Sequence, residues 1–321
     1  MLRSMYSGIS GMKGFQTKLD TIGNNIANVN TYGFKKGRVT FQDMMSQTMS
    51  AAQGPIAGDD GNVRGGLNPS QVGLGSQVGS VDTIHTQGNR QTTNRPLDLS
   101  LEGDGMFVLA EAGGDFIDPS VKTIDLGSVN QSFTRAGNFY LDSDGAIVSN
   151  EGKYLIGQPY ESITDDNDTP ADTSDDTTSS QPKLNAANEE AAGIITIPEN
   201  AQSFSIQTDG TVNYVDENGN PQVAGRVLLA NFPNPSGLEK LGGNTFQYTQ
   251  NAGEPIAGFD DLLVAGQNGT GQMVSGALEM SNVDLAESFT EMITAQRGFQ
   301  ANTRIITTSD EILQELVNLK R

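Results

Sequence analysis

Cysteine and tryptophan are absent from this chain, histidine occurs once, and no run of about 18 apolar residues exists. Without cysteine the fold owes nothing to disulfides or thiolate metal sites. Without a long apolar run, no helix is expected to span or insert into a membrane. The lone His85 excludes a two-histidine metalloprotease helix and reads as a surface or packing residue within a strand over residues 81–86. Positive charge is also scarce: 19 Lys and Arg stand against 39 Asp and Glu, a formal net charge of −20. Such a balance argues against a nucleic-acid partner, because phosphate binding needs a clustered basic face. Apolar residues make up only 35%, a lean core for 321 residues and two or three domains, so part of the chain is expected to bury itself against other molecules. A secretory signal is not expected, since Ser4, Ser7, Ser10 and Lys13 interrupt the apolar residues of the N-terminus.

What is present is periodicity at both ends. Met5, Met12, Leu19 and Ile26 recur every seven residues, flanked by Leu2, Ile9, Phe15, Ile22 and Val29. Leu285, Met292, Phe299, Ile306 and Leu313 keep the same register, widened by Phe289, Ile305, Ile312, Leu316 and Val317. A repeat of seven sustained over this length predicts two long helices with a coiled-coil-like seam. An ordinary two-helix hairpin is the alternative. Asp284 followed by Glu287 predicts a capped start for the second helix, which would run to about residue 319 and measure about 53 Å. The ends also differ in charge. Residues 1–40 carry Arg3, Lys13, Lys18, Lys35, Lys36 and Arg38 against Asp20 alone, while residues 276–321 are net acidic.

The middle of the chain reads as β. Residues 95–101 and 106–110 flank Glu102-Gly103-Asp104-Gly105, a hairpin signal, and residues 138–141 and 146–149 flank a similar Asp- and Gly-containing turn. Further strands are expected at 193–197, 203–207, 211–215 and 226–232, giving a sandwich or partly open barrel. The fold class is therefore α+β. Residues 1–45 and 276–321 form a helical domain, 46–80 an extended connector, and 81–275 a β-rich domain. The Asp-rich stretch 164–182 (TDDNDTPADTSDDTTSSQP) has no basic and no large apolar residue and is expected to be a flexible insertion.

Chemistry is hard to find. No nucleophile elbow or phosphate loop occurs, and Gly73, Gly75 and Gly79 miss the dinucleotide spacing. Asp166 and Asp168 offer hard oxygens to calcium, but the segment lacks the glycine and bidentate glutamate of a calcium loop. No catalytic residue, cofactor or metal site is therefore expected, and the chain is not expected to be an enzyme.

Segments in order along the chain resemble one family, the hook and rod subunits of the bacterial flagellum. Residues 19–35 (LDTIGNNIANVNTYGFK) resemble its N-terminal signature, with Asn24, Asn25, Ile26, Ala27, Asn28, Gly33 and Phe34 in place. Residues 72–75 and 86–89 resemble its connector. Residues 97–107 (LDLSLEGDGMF) and 133–142 (FTRAGNFYLD) resemble two central strands, and 275–285 (SGALEMSNVDL) and 292–300 (MITAQRGFQ) the C-terminal signature. The resemblance implies an inner domain of both terminal helices, packed as a tube around an export channel, and an outer β domain. It implies a helical homopolymer joined to rod, hook-cap and hook–filament junction proteins. It also implies export through the flagellar type III apparatus without a cleaved signal, and a place in the extracellular hook or basal body. Residues 275–280 and the ending 316–321 resemble the hook branch, whose tube is a universal joint carrying torque; the distal rod subunit is the alternative. Lesser alternatives are a secreted calcium-binding β protein and a coiled-coil adhesin. Phe41 and Met45 resemble the Phe-x-x-x-hydrophobic element gripped by the export gate. Packing one helical turn apart is the plainer reading of that pair.

Overall fold

The computed structural model describes residues 2–58, 61–111, 124, 126, 129–165, 177–182, 191–256 and 258–319. The chain divides into two units that interleave along the sequence. The first comprises Met1–Asn28, Lys36–Ile84 and Val283–Arg321, and the second Val29–Lys35 and His85–Asn282.

In the first unit, α1 (Leu2–Ala27) and α2 (Leu285–Leu319) run antiparallel. Helix α1 is a poor helix by composition. Gly8, Gly11, Gly14 and Gly23 lie within it, each costing about 1 kcal/mol relative to alanine. Three of the four allow close approach. A Cβ on Gly8 would stand 3.3 Å from Ile306, one on Gly11 2.8 Å from Asn302, and one on Gly14 2.7 Å from the Phe41 ring. Gly298 of α2 does the same for Phe15. Asp284 caps α2, its Oδ1 accepting from the backbone N–H groups of Ala286 and Glu287. The Glu287 carboxylate does not close a capping box; it pairs with Lys36 at 3.0 Å.

Residues 46–80, expected as an extended connector, are extended and also paired. Gly37–Asp43 pairs antiparallel with Ser76–Thr83, Ser46–Ser50 with Ser70–Gly73, and Ile56–Gly58 with Gly61–Arg64. Together they make one long two-stranded ribbon. Polar composition hid it: Ser, Gln, Thr and Gly give no apolar alternation, and the backbone ladder supplies the order. The first part of the ribbon runs along α1, from Gly37 beside Thr21 and Asn25 to Gly75, which at φ +121° leaves no room for a Cβ against Ser7 and Ser10.

The second unit is built on one large sheet. Its strand order is Tyr140–Leu141, Ile147–Val148, Tyr154–Asp165, Pro221–Ala230, Met106–Ala110, Gln131–Thr134, Thr245–Gln247 and Glu239–Gly242. Two cores lie on its faces. Met106, Val108 and Ala110 enter one, Phe107 and Leu109 the other; Leu228 and Ala230 alternate likewise with Val227 and Leu229. A strand buried on both faces needs an unbroken apolar run, which MFVLA and VLLA supply. Aromatic pairs anchor each core, Phe133 with Phe232 at 4.8 Å and Phe107 with Phe139 at 5.2 Å, both edge to face.

Two expectations change here. Leu99–Glu102 does not form a hairpin with Met106–Ala110; it pairs with Gln272–Ser275. The turn between them is a corner, with Gly103 and Gly105 both at positive φ. The flanks of the Asp-rich insertion are paired strands, Tyr160 opposite Pro182 through Asp165 opposite Thr177. Asp166 and Asp168 lie outside the described residues.

Candidate assembly interface

Exposed apolar side chains mark a candidate contact face, and the helix pair is its first component. Met5, Met12, Leu19 and Ile26 on α1, with Met292, Phe299, Ile306 and Leu313 on α2, are half-buried, and Leu285 is exposed. Closest approach occurs instead at the glycines, with Thr303 Oγ1 donating to Met12 Sδ at 3.4 Å beside them. Both flanks of that seam on α2 carry exposed apolar side chains: Phe289 and Ile293, about half exposed, on one, and Ile305, Ile312 and Leu316 on the other. Large apolar side chains left exposed along a helix in this way mark candidate contact sites.

The ribbon is the second component. Phe41 packs its ring 5.8 Å from Phe15, whereas Met45, Met49, Leu67 and Val81 are exposed. Phe41 and Met45 do not lie one helical turn apart. Phe41 belongs to a strand and Met45 follows its end, 82% exposed.

The signature segment divides between the units. In the first, the Asn25 carboxamide clamps the backbone of Gly37, donating to its carbonyl at 2.8 Å and accepting from its N–H at 2.9 Å. Asn28 closes the helix end, its Nδ2 donating to the Asn24 carbonyl at 2.9 Å, while Ile26 is half-buried and Ala27 and Asn24 are exposed. In the second unit, Gly33 stands at φ +69° with its Cα against the backbone of Arg135 and Ala136, so no larger residue fits. Its N–H donates to the carbonyl of Glu279. Phe34 is buried, with Lys240 Nζ 4.8 Å from its ring centroid.

Beside that segment lies a buried ion cluster. Lys35 Nζ meets Glu279 Oε1 at 2.5 Å and donates to the Thr86 carbonyl at 2.8 Å; Arg135 meets Glu279 Oε2 at 3.3 Å and donates to the Gly103 carbonyl. The Gly88 N–H donates to Glu279 Oε1. The three side chains are 0%, 5% and 1% exposed in the order Lys35, Arg135, Glu279. Burial lowers the pKa of both cations, opposed by the Glu279 charge. His85 packs 5.4 Å from Phe246 with both ring nitrogens buried and unpartnered. Burial, then the charges of Lys35, Lys240 and Arg135, lower its pKa to about 4, so it is neutral.

Sequence reading named Gly33 and Phe34 but not the cluster. Its partners are 144 and 244 residues apart, and the only local signal is a charge interrupting an apolar run, as Glu279 does after Ala277 and Leu278. Among the described residues, no group of three or more His, Asp or Glu is placed to hold a metal ion.

The first and last segments share one helical unit whose α2 leaves apolar side chains exposed, and the β-rich second unit has its own two cores. Known proteins carry this further. Residues 5–35 match the model for flagella basal body rod proteins, 123–214 that for the flagellar hook protein FlgE/F/G D1 domain, and 274–319 that for the flagellar basal body rod FlgEFG protein C-terminal region. The flagellar basal-body rod protein FlgG of Bacillus subtilis is 48% identical over 321 residues, covering 100% of both chains. The rod protein FlgG of Caulobacter vibrioides is 33% identical over 320 residues, covering 99% of this chain and 100% of that one. The flagellar hook protein FlgE of Borreliella burgdorferi is 30% identical over 467 aligned positions, covering 100% of both. A crystal structure of Helicobacter pylori FlgE2 aligns at a TM-score of 0.21 and 16% identity, covering 67% of this chain and 47% of that one, too low for comparing architecture. The chain belongs to the family of flagellar hook and basal-body rod proteins.

Proposed function

We propose that this chain is the distal rod subunit of the flagellar basal body, polymerising into a straight hollow shaft. One observation carries the reading: the 48% identity to a rod protein along the whole length of both chains. Hook relatives support the hook reading less well, because their alignments extend to 467 and 475 positions and so include a large insertion that this chain lacks. In this reading the heptad residues of α1 and α2 and the exposed edge at Phe289 and Ile293 are buried between copies in the tube wall, where coiled-coil packing completes. The neighbours are further copies, the adjoining rod and hook proteins, and the type III export apparatus that delivers the chain unfolded and uncleaved. The test is electron microscopy of the purified, polymerised protein. Straight hollow tubes are expected; tubes that bend into a supercoil would return the chain to the hook, and no tube would defeat both readings.

A further inference from the structure

The two ends of the helix pair in the first unit are unlike, and they complement each other. Gly8 lies opposite Ile306, yet α1 extends only six residues beyond that point and α2 thirteen, about 9 Å against about 20 Å. Roughly the last two turns of α2 therefore have no α1 beside them. There Ile312, Leu316 and Leu319 stand at i, i+4 and i+7, all exposed, with Glu311 and Glu315 along one edge. At the opposite end of the pair, α1, α2 and the ribbon base enclose a groove of about 370 Å³. Its apolar lining is Ile22, Val39 and Ile84, and its basic side is Lys18 and Arg38. Lys18 has no ion-pair partner among the described residues, and Arg38 reaches Asp82 at 3.6 Å with both side chains exposed. The acidic groups lie on the α2 side, where Lys36 neutralises Glu287 and Glu291 stands one turn further on.

We infer that the overhanging end of α2 docks in the basic groove of a second copy of this chain, its apolar edge on the groove floor and Glu311 and Glu315 toward Lys18 and Arg38. This rests on the proposal that the chain polymerises and assigns which ends meet. Groove and overhang are separated along α2 by roughly 40 Å, so one molecule cannot satisfy both. The contact joins unlike surfaces, and an unlike contact that does not close into a ring propagates an open filament. Opposite charges along one edge fix the direction in which the helix enters, since the reverse orientation faces Glu311 and Glu315 toward Glu291.

Charge reversal tests it on the full chain. Lys18→Glu with Arg38→Glu gives an acidic groove, and Glu311→Lys with Glu315→Lys gives a basic overhang. Each variant alone is expected to need at least a tenfold higher concentration to form tubes, read by sedimentation and electron microscopy. An equal mixture is expected to recover, because every groove then meets an overhang of opposite sign; a misfolded variant would not be rescued. Wild-type behaviour of both separate variants, or an inert mixture, overturns the contact. Because the chain has no native cysteine, Lys18→Cys with Glu315→Cys gives a second reading. A short bismaleimide should convert sedimented tubes into a ladder of covalent multimers. Tubes without a ladder defeat this contact and leave the rod reading standing, whereas a wild type that forms no tubes defeats both.

Discussion

Glu279 holds two buried cations and two backbone segments at once, so its neighbours depend on it unequally. Glu279→Gln would leave Lys35 and Arg135 in a dry site without a counter-ion, and breaking a buried pair from one side costs about 3–5 kcal/mol. Lys35→Met should cost less, because Arg135 still neutralises the carboxylate. Urea unfolding followed by circular dichroism ranks the two; equal losses would contradict the shared role of Glu279. His85 supplies a pH dependence whose sign is fixed. The unfolded chain takes up a proton at its ordinary pKa of 6.5, the folded chain only at about 4, so the unfolded state binds more protons between those values. Stability from the neutral ring is full above pH 6.5 and is lost as pH falls toward about 4. His85→Phe should flatten the melting temperature across that window. The histidine was visible as a residue in the sequence, but its surroundings were not, since Phe246 and Lys240 reach it from far along the chain.

The helices were legible because their periodicity is local, and so were the strands buried on both faces, whose apolar runs are continuous. The ribbon was not: its order comes from backbone pairing between polar segments some tens of residues apart, which leaves no mark in hydropathy. Helix α1, with its four glycines, depends on packing more than on propensity. Residues 5–29 and 285–317 should therefore exchange backbone hydrogens readily in a monomer and become protected in the polymer. Strong protection in a proven monomer would show the pair completes its own core. Phe299→Asp places a charge on the half-buried seam and should abolish polymerisation while the β body melts as before. In the ribbon, Phe41→Ala with Met45→Ala removes one ring that packs on Phe15 and one side chain that is exposed. If the pair is gripped during export, secretion should fall further than stability does; unchanged secretion at equal expression would assign Phe41 to packing alone.

At the scale of the molecule, the Asp-rich segment springs from paired strands, with Asp165 opposite Thr177 closing its base. Deleting residues 166–176 should leave the β body folded, and calcium titration by calorimetry should show no site tighter than about millimolar, since the stretch lacks the glycine and bidentate glutamate of a calcium loop. A micromolar heat signal would make that segment a calcium site. The interleaving of the units has a temporal consequence. The chain passes between them after Asn28, after Lys35, after Ile84 and after Asn282, so the first unit is assembled from the beginning, the early middle and the last segment of the sequence. A chain that emerges N-terminus first can pair its ribbon and close its sheet early, but α1 waits for α2, more than two hundred and fifty residues later. Contacts of such high sequence separation form late and slowly. The helix pair therefore cannot be completed until the last segment of the chain is present, and the sequence order alone makes the terminal helices the last part of the fold to close.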